Sequence, residues 1–283
     1  MIDTQELRVH ARAARAPCIG IFDSGVGGLS ILRALRARVG DASMIYVGDV
    51  ANAPYGDRPA EHVVERSRDV AAWLIEQGAA MIVVACNTAT VLAIESLRAR
   101  WPSIVFVGVE PGVKPAAARS RTQRIGVMAT AATAGSARLR HLIERYASDA
   151  HVHVQPCPGL ADAIERGVVE GAELRALLTP HCEALRAAAV DTVVLGCTHY
   201  PIVETTIREL LGPDITLIDT ATAVAERSAS LWEQLAPVFD AAASARVIST
   251  GGSATMAQLL RACPGLGATD VEVLTIIPCA SPG

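Results

Sequence analysis

Lysine is almost missing from this 283-residue chain: of its 25 basic residues only Lys114 is one, and the rest are arginines. Chemistry that depends on a Schiff-base lysine therefore has a single candidate, in the turn-rich connector Pro111-Gly112-Val113-Lys114-Pro115. Aromatic residues are scarce at 4%, but 51% of residues are hydrophobic against 19% charged, which excludes a disordered or solvating polypeptide. There is no positive excess either. A net charge of −4 is not the basic footprint of a nucleic-acid binder.

The seven cysteines contain no CxxC, which argues against a zinc knuckle or a thioredoxin-type pair. Residues 1–17 mix Arg8, Arg12 and Arg15 with Asp3 and Glu6 and lack the apolar stretch of a secretion signal. They read as a short helical extension. An odd number of free thiols then points to a reducing cytoplasm. The uncharged run over residues 78–94 falls short of the ~20 residues of a membrane span and is broken by Asn87, Thr88 and Thr90. It reads as a buried strand, a polar turn and an Ala-rich helix.

What is present is an alternation. Apolar runs such as Cys18–Phe22, Met81–Ala85, Arg124–Met128, Thr192–Leu195 and Val271–Ile277 predict strands. Between them lie Ala/Leu/Arg segments of helical period, among them 90–100, 135–146, 172–188 and 202–211. In the third of these, Leu174, Leu177, Leu178, Cys182 and Leu185 share one helix face. Near-continuous apolar strands separated by helices predict parallel sheets covered on both sides.

The pattern also repeats. Ile19-Gly20-Ile21-Phe22 recurs 106 residues later as Ile125-Gly126-Val127-Met128, and the run ending at Cys86 is echoed 111 residues later by the run ending at Cys197. The expected fold is α/β: two related α/β domains with central parallel sheets and an active site in the cleft between them. The expected boundaries are an extension over 1–17, a first domain from 18–111 plus 220–283, and a second from 112–219. Ligands in open α/β sheets bind at the carboxyl ends of strands.

Four polar constellations follow strands directly. Asp23-Ser24-Gly25-Val26-Gly27-Gly28 does not fit G-x-G-x-x-G. It is either an anion cradle at a helix start or a plain helix-entry turn. Ala53-Pro54-Tyr55-Gly56 alone reads as a turn with an exposed tyrosine. Cys86-Asn87-Thr88 and Cys197-Thr198-His199-Tyr200-Pro201 carry the informative thiols. Lone apolar cysteines are usually inert core residues, which is the expectation for Cys18, Cys157, Cys182, Cys263 and Cys279. Cys86 and Cys197 instead each end a buried strand and open a polar turn into a helix. A helix N-terminus lowers a thiol pKa, and His199 is two residues from Cys197. One thiol per half is what a two-base proton transfer at carbon needs. A cysteine phosphatase would want an arginine soon after its nucleophile, and none follows Cys86. A cysteine protease or amidase would leave the second cysteine idle. A zinc site from Cys86, Cys197 and His199 stays open on residue type.

The segments GIFDSGVGGLSILRAL (20–35), GDVANAPYGDR (48–58), VVACNTAT (83–90), GVEPGVKPA (108–116) and VLGCTHYP (194–201), in that order, closely resemble the glutamate racemase family within the aspartate/glutamate racemase superfamily. The resemblance implies a cofactor-independent isomerase that interconverts L- and D-glutamate, supplies D-glutamate for peptidoglycan, and binds neither metal nor cofactor. It implies Cys86 as the thiol that takes the α-proton from D-glutamate and Cys197 as the one that takes it from L-glutamate. Asp23 and His199 would assist them. Ser24, Tyr55, Gly56, Asn87, Thr88 and Thr198 would hold the substrate, with Thr130, Thr133 and Glu165 from the second half. Ala129 stands where the family more often has glycine. The implied partner is the small-molecule substrate, with no nucleic acid and no membrane, in a cytoplasmic homodimer. The scarcity of lysine agrees with a route free of pyridoxal phosphate. A racemase of another acidic amino acid, such as aspartate, and a non-catalytic module that binds an acidic ligand or a protein are the alternatives.

Overall fold

The computed structural model of the chain describes residues 17–235, 244–261, 266 and 270–276. The expected helical extension up to residue 16, and Cys263 and Cys279, lie outside them. The first stretch runs β1 (Cys18–Asp23), α1 (Leu29–Arg38), β2 (Met44–Gly48), α2 (Ala60–Glu76), β3 (Ala79–Val84), α3 (Asn87–Arg100) and β4 (Val105–Gly108). A second stretch follows: α4 (Val113–Arg119), β5 (Arg124–Ala129), α5 (Ala131–Ala134), α6 (Ala137–Tyr146), β6 (His151–Pro156), α7 (Leu160–Glu165), α8 (Gly171–Ala187), β7 (Thr192–Leu195), α9 (Glu204–Leu211) and β8 (Thr216–Ile218). The chain then adds α10 (Ala221–Leu235), β9 (Ala245–Ser249), α11 (Ala254–Arg261) and β10 (Val271–Val273).

Two sheets result, with strand orders β10-β9-β2-β1-β3-β4 and β6-β5-β7-β8. Every pairing in both is parallel. The block β2-β1-β3-β4 has the same order as β6-β5-β7-β8. The internal repeat of the sequence is thus a repeat of sheet topology, with β1 matching β5 and β3 matching β7.

Strand period explains the layering. Ile19 and Ile21 of β1 enter one core with α1 and α10, while Cys18 and Phe22 enter the opposite core with α2 and α3. Both faces are covered, so the strands are apolar throughout. In α8, Leu174, Leu178, Cys182 and Leu185 are buried, as the helical spacing requires, and Leu177 lies at the margin. The segment 78–94 is β3, a turn and the start of α3. No helix among the described residues is long and apolar enough to cross a membrane.

The last strand stops at Val273 rather than continuing as expected over Val271–Ile277, and three further boundaries differ from the expectation for local reasons. Helix α3 begins at Asn87 rather than Thr90, because Cys86 caps it and its sulfur accepts the Ala89 N–H at 3.4 Å. The helix expected over 135–146 is preceded by a separate turn of helix, because Thr130 and Ser136 each accept a backbone N–H three residues on and so start two elements. After Cys197 the chain makes a 3-10 turn over Tyr200–Val203, with Pro201 in its first turn, before α9 starts.

The second sheet is tied to its connectors by Asp191. Its carboxylate accepts from Ser120 Oγ at 2.6 Å, from the N–H groups of Arg121 and Thr122 at 2.7 Å each, and from Thr192 Oγ1 at 3.0 Å. Burial opposes ionisation, but these donors outweigh it and hold the acid down at about 2. A lowered carboxylate pKa adds stability that is complete above its unfolded value of ~3.9 and is lost as pH falls toward the folded value. Asp191→Asn should therefore destabilise the protein by about 1–3 kcal/mol at pH 7, through donors left without an anion. Urea unfolding should show the gap from wild type closing as the pH is lowered from 5 to 3.

Candidate active site

Two thiols sit at matching places in the two halves, Cys86 just beyond β3 and Cys197 just beyond β7. Both are buried at 5% exposure. They are near enough that a charge on Cys197 acts to raise the pKa of Cys86. The loops after β1 and β5 complete the four strand ends facing this cleft.

The halves touch through polar side chains. Asp23 ends β1 fully buried. Its Oδ1 accepts the Gly25 N–H at 2.8 Å and the Ser24 hydroxyl at 3.3 Å, and its Oδ2 accepts the Thr198 hydroxyl from the other half at 2.8 Å. The repeat-related contact joins Thr88 and Thr130, whose hydroxyl oxygens are 3.1 Å apart. Thr130 also donates to Thr133 at 3.2 Å and accepts its backbone N–H.

A third crossing is made by Glu165 at the end of α7. Its Oε1 accepts the Val26 N–H at 2.8 Å and lies 2.5 Å from His199 Nε2. The other ring nitrogen, Nδ1, is 3.6 Å from Cys197 Sγ. Glycine makes these approaches possible. A Cβ on Gly25 would fall inside the Glu165 carboxylate, and one on Gly27 would stand 2.7 Å from both His199 Nδ1 and Thr198 Oγ1.

The electrostatics of the two sides differ. Burial pushes the Cys86 thiol up strongly, and the charge of Asp23 adds to it. The Ala89 N–H at the start of α3 only moderates the rise. The expectation that a helix N-terminus would leave this thiol acidic is therefore corrected, because desolvation outweighs the helix end. Cys197 has no α-helix N-terminus beside it, since the 3-10 turn intervenes. Its neighbour is His199. Burial alone would lower the His199 pKa, but the hydrogen bonds to Cys197 and Glu165, together with the Glu165 charge, raise it well above the usual value. These partners favour the charged form of the ring. Burial raises the Asp23 acid, with His199 and the donors to it opposing.

Asp23, Ser24, Cys86 and Thr198 are linked in one chain of contacts, with Ser24 Oγ 3.9 Å from Cys86 Sγ; Glu165, His199 and Cys197 form a second chain beside Asp23, and Thr88, Thr130 and Thr133 a third. Asn87 is buried at the start of α3, and both of its amide atoms lack a hydrogen-bond partner. Gly56 abuts Thr130, where a Cβ would stand 2.8 Å from the Thr130 Cβ. Tyr55 is a correction: it is not exposed but fully buried, and its hydroxyl donates to Asp49 Oδ2 at 2.6 Å. Its ring packs into the core that α2 and α3 cover. The side-chain group compact enough to share an ion, among the described residues, is Asp23, Glu165 and His199 rather than Cys86, Cys197 and His199. Cys157 and Cys182 are buried free thiols, and Cys18 is buried in the core. Burial raises Cys157 to about 12 and Cys182 to about 11, as suits inert core residues.

Sequence reasoning missed Tyr46 and Asp49. Tyr46 is buried beneath the glycine loop, and its hydroxyl donates to the Gly25 carbonyl at 2.6 Å. Tyr46 and Asp49 lie in or just after an apolar strand, and what they hold is 21 and 6 residues away. The Gly48-Asp49 pair preceding the turn was the available signal.

The pattern of the family described as Asp/Glu/Hydantoin racemase matches residues 29–227. A glutamate racemase of Pseudomonas paraeruginosa is 49% identical over 215 residues, covering 76% of this chain and 81% of that protein. Among solved structures, glutamate racemase isoform RacE1 from Bacillus anthracis superimposes with a TM-score of 0.82 at 28% identity, covering 92% of this chain and 98% of that one. Escherichia coli glutamate racemase, in complex with L-glutamate and the activator UDP-MurNAc-ala, gives a TM-score of 0.81 at 30% identity, covering 93% and 99%.

The glycine loop offers a direct test of the crossing contacts. Gly25→Ala should displace Glu165 and lower turnover of the protein's substrate by about 100-fold or more, since a misplacement near 1 Å costs that much. Circular dichroism and melting temperature should stay close to wild type. Full activity in this variant would show that the Glu165 contact is dispensable.

Proposed function

The chain belongs to the Asp/Glu/Hydantoin racemase family, and from that premise we propose that it interconverts L- and D-glutamate by proton transfer between two thiols. The observation that carries this reading is the placement of Cys86 and Cys197, both buried, at matched strand ends of the two sheets. An α-proton leaving one face of Cα and a proton arriving at the other require two such groups. The thiolate of one cysteine takes the proton, the electron pair stays on the α-carbon and its carboxylate, and the thiol of the other cysteine protonates the opposite face. Cys86 takes the proton from D-glutamate and Cys197 from L-glutamate.

The environments fit these roles. The free site stores Cys86 as a thiol, because burial and Asp23 disfavour its ionisation. His199, whose charged form its two partners favour, stands where it can exchange a proton with Cys197 across 3.6 Å. Asn87, with both amide atoms buried and without partners, suits the polar groups of an amino acid. Hydroxyls of Ser24, Thr88, Thr130 and Thr198 and the N–H groups of the turn at Tyr55 and Gly56 supply the rest of the polar wall. Holding the substrate between prepositioned thiols is worth up to ~7–11 kcal/mol of barrier. Exclusion of water strengthens each donor that faces the developing negative charge. The D-glutamate formed is proposed to supply peptidoglycan assembly in the cytoplasm.

Incubation with L-glutamate, and in parallel with L-aspartate, read by a chiral assay without added cofactor, tests the substrate. Turnover of aspartate in preference to glutamate would move the reading to another acidic amino acid. Cys86→Ala and Cys197→Ala should each lose racemisation by ~10²–10⁴-fold or more with the fold intact. The enantiomers have equal free energy in water, so each variant must lower kcat/KM equally in both directions. In deuterated water each newly formed enantiomer should carry deuterium at Cα, and retention of the original hydrogen would contradict the two-thiol route.

A further inference from the structure

Asp49, at the end of β2, is a fully buried carboxylate that touches neither thiol. Its oxygens take five donors: the Tyr55 hydroxyl at 2.6 Å, Arg66 Nε and Nη2 at 3.0 Å each, Asn52 Nδ2 at 3.1 Å and the Thr250 hydroxyl at 2.7 Å. The two Arg66 contacts form a planar fork on both carboxylate oxygens. Burial alone would raise the Asp49 acid, but these donors, led by Arg66, hold it ionised. Arg66 projects from α2 and is itself mostly buried, with Nη1 reaching Asp69 at 3.1 Å and the Ile276 carbonyl at 3.4 Å. Thr250 Oγ1 also accepts the Ala51 N–H at 3.2 Å. The loop after β2, helix α2 and the segment after β9 are therefore tied at one point, and Tyr55 is held there by its hydroxyl.

That tie lies directly behind the short turn Tyr55–Asp57, whose Gly56 packs against Thr130 of the opposite half. Because the Tyr55 hydroxyl is spent on Asp49, the turn can meet a substrate only through its backbone and Gly56. The height of that backbone is set by where the phenol is held. We propose that Arg66 is a positioning residue for substrate binding, acting through Asp49 and the Tyr55 hydroxyl to fix the Tyr55–Gly56 turn against the carboxylate of a bound amino acid. This rests on the proposed role of that turn in holding the substrate. Lysine keeps the charge of arginine but cannot reproduce the fork, so the geometry at this position matters beyond neutralisation.

Tyr55→Phe, Arg66→Lys and Arg66→Met test it in the full-length protein. Tyr55→Phe leaves Asp49 its other donors and keeps the ring in the core. The expected result for Tyr55→Phe and Arg66→Lys is a KM for glutamate raised roughly 10-fold, with kcat within about threefold of wild type. D-glutamate binding by calorimetry should weaken by the same factor, and Arg66→Lys should lie nearer wild type than Arg66→Met. A purely structural role would lower melting temperature and active fraction while leaving KM unchanged. Unchanged KM and unchanged glutamate binding in Tyr55→Phe and Arg66→Lys, with an active wild type, would overturn this proposal alone. A wild type that neither binds nor racemises glutamate would overturn the parent reading and this one with it.

Discussion

One carboxylate oxygen, Glu165 Oε1, receives the Val26 N–H from one half of the protein and faces His199 Nε2 in the other. Neither half contains this arrangement by itself. It requires the loop after β1 to come so near that only hydrogen fits at Gly25. The constraint then propagates. His199, gripped at Nε2, turns Nδ1 toward Cys197, and its partners favour the charged ring against the cost of burial. The adjacent Thr198 reaches across to Asp23, which is anchored by the same loop. The approach of the two halves and the orientation of His199 toward Cys197 meet at this one contact.

Pseudosymmetry explains the rest of the site. The two sheets share a four-strand order, so strand ends come in matched pairs, and each half offers one thiol and one threonine-bearing loop. A reaction at carbon whose reactant and product are mirror images asks for matched groups on two faces, and a duplicated α/β unit supplies them by construction. The match is not complete. Cys86 caps an α-helix and is flanked by Asp23, whereas Cys197 precedes a 3-10 turn and has a histidine with its own carboxylate. The two thiols thus stand in matching geometry with different electrostatics.

Both strands and thiols were legible in the chain because parallel strands buried on two faces read as unbroken apolar runs, and Cys86 and Cys197 stand where such runs stop. The local grammar carried less. Cys86 was expected to be acidic from its helix, but desolvation is a property of everything packed around it, and it dominates. Tyr55 reads as exposed in a Pro-Tyr-Gly turn. It is buried because a carboxylate at Asp49 and an arginine at Arg66 wait beneath it. The start of α9 moved because Pro201, three residues past Thr198, favours a tighter first turn.

By itself, the sequence determined the alternation of strands and helices, the internal duplication, the two strand-end thiols and the family resemblance. These follow from periodicity and from short motifs, which are written in neighbouring residues. Only the tertiary structure decided that Glu165 meets Val26, that Tyr46 holds up the glycine loop, and that Asp49 gathers Tyr55, Arg66 and Thr250 at one point. Those contacts join residues up to 201 positions apart. Hydrogen bonding depends on distances of about 3 Å in space, and no spacing along a chain encodes such a distance until the sheets have formed and the two halves have closed.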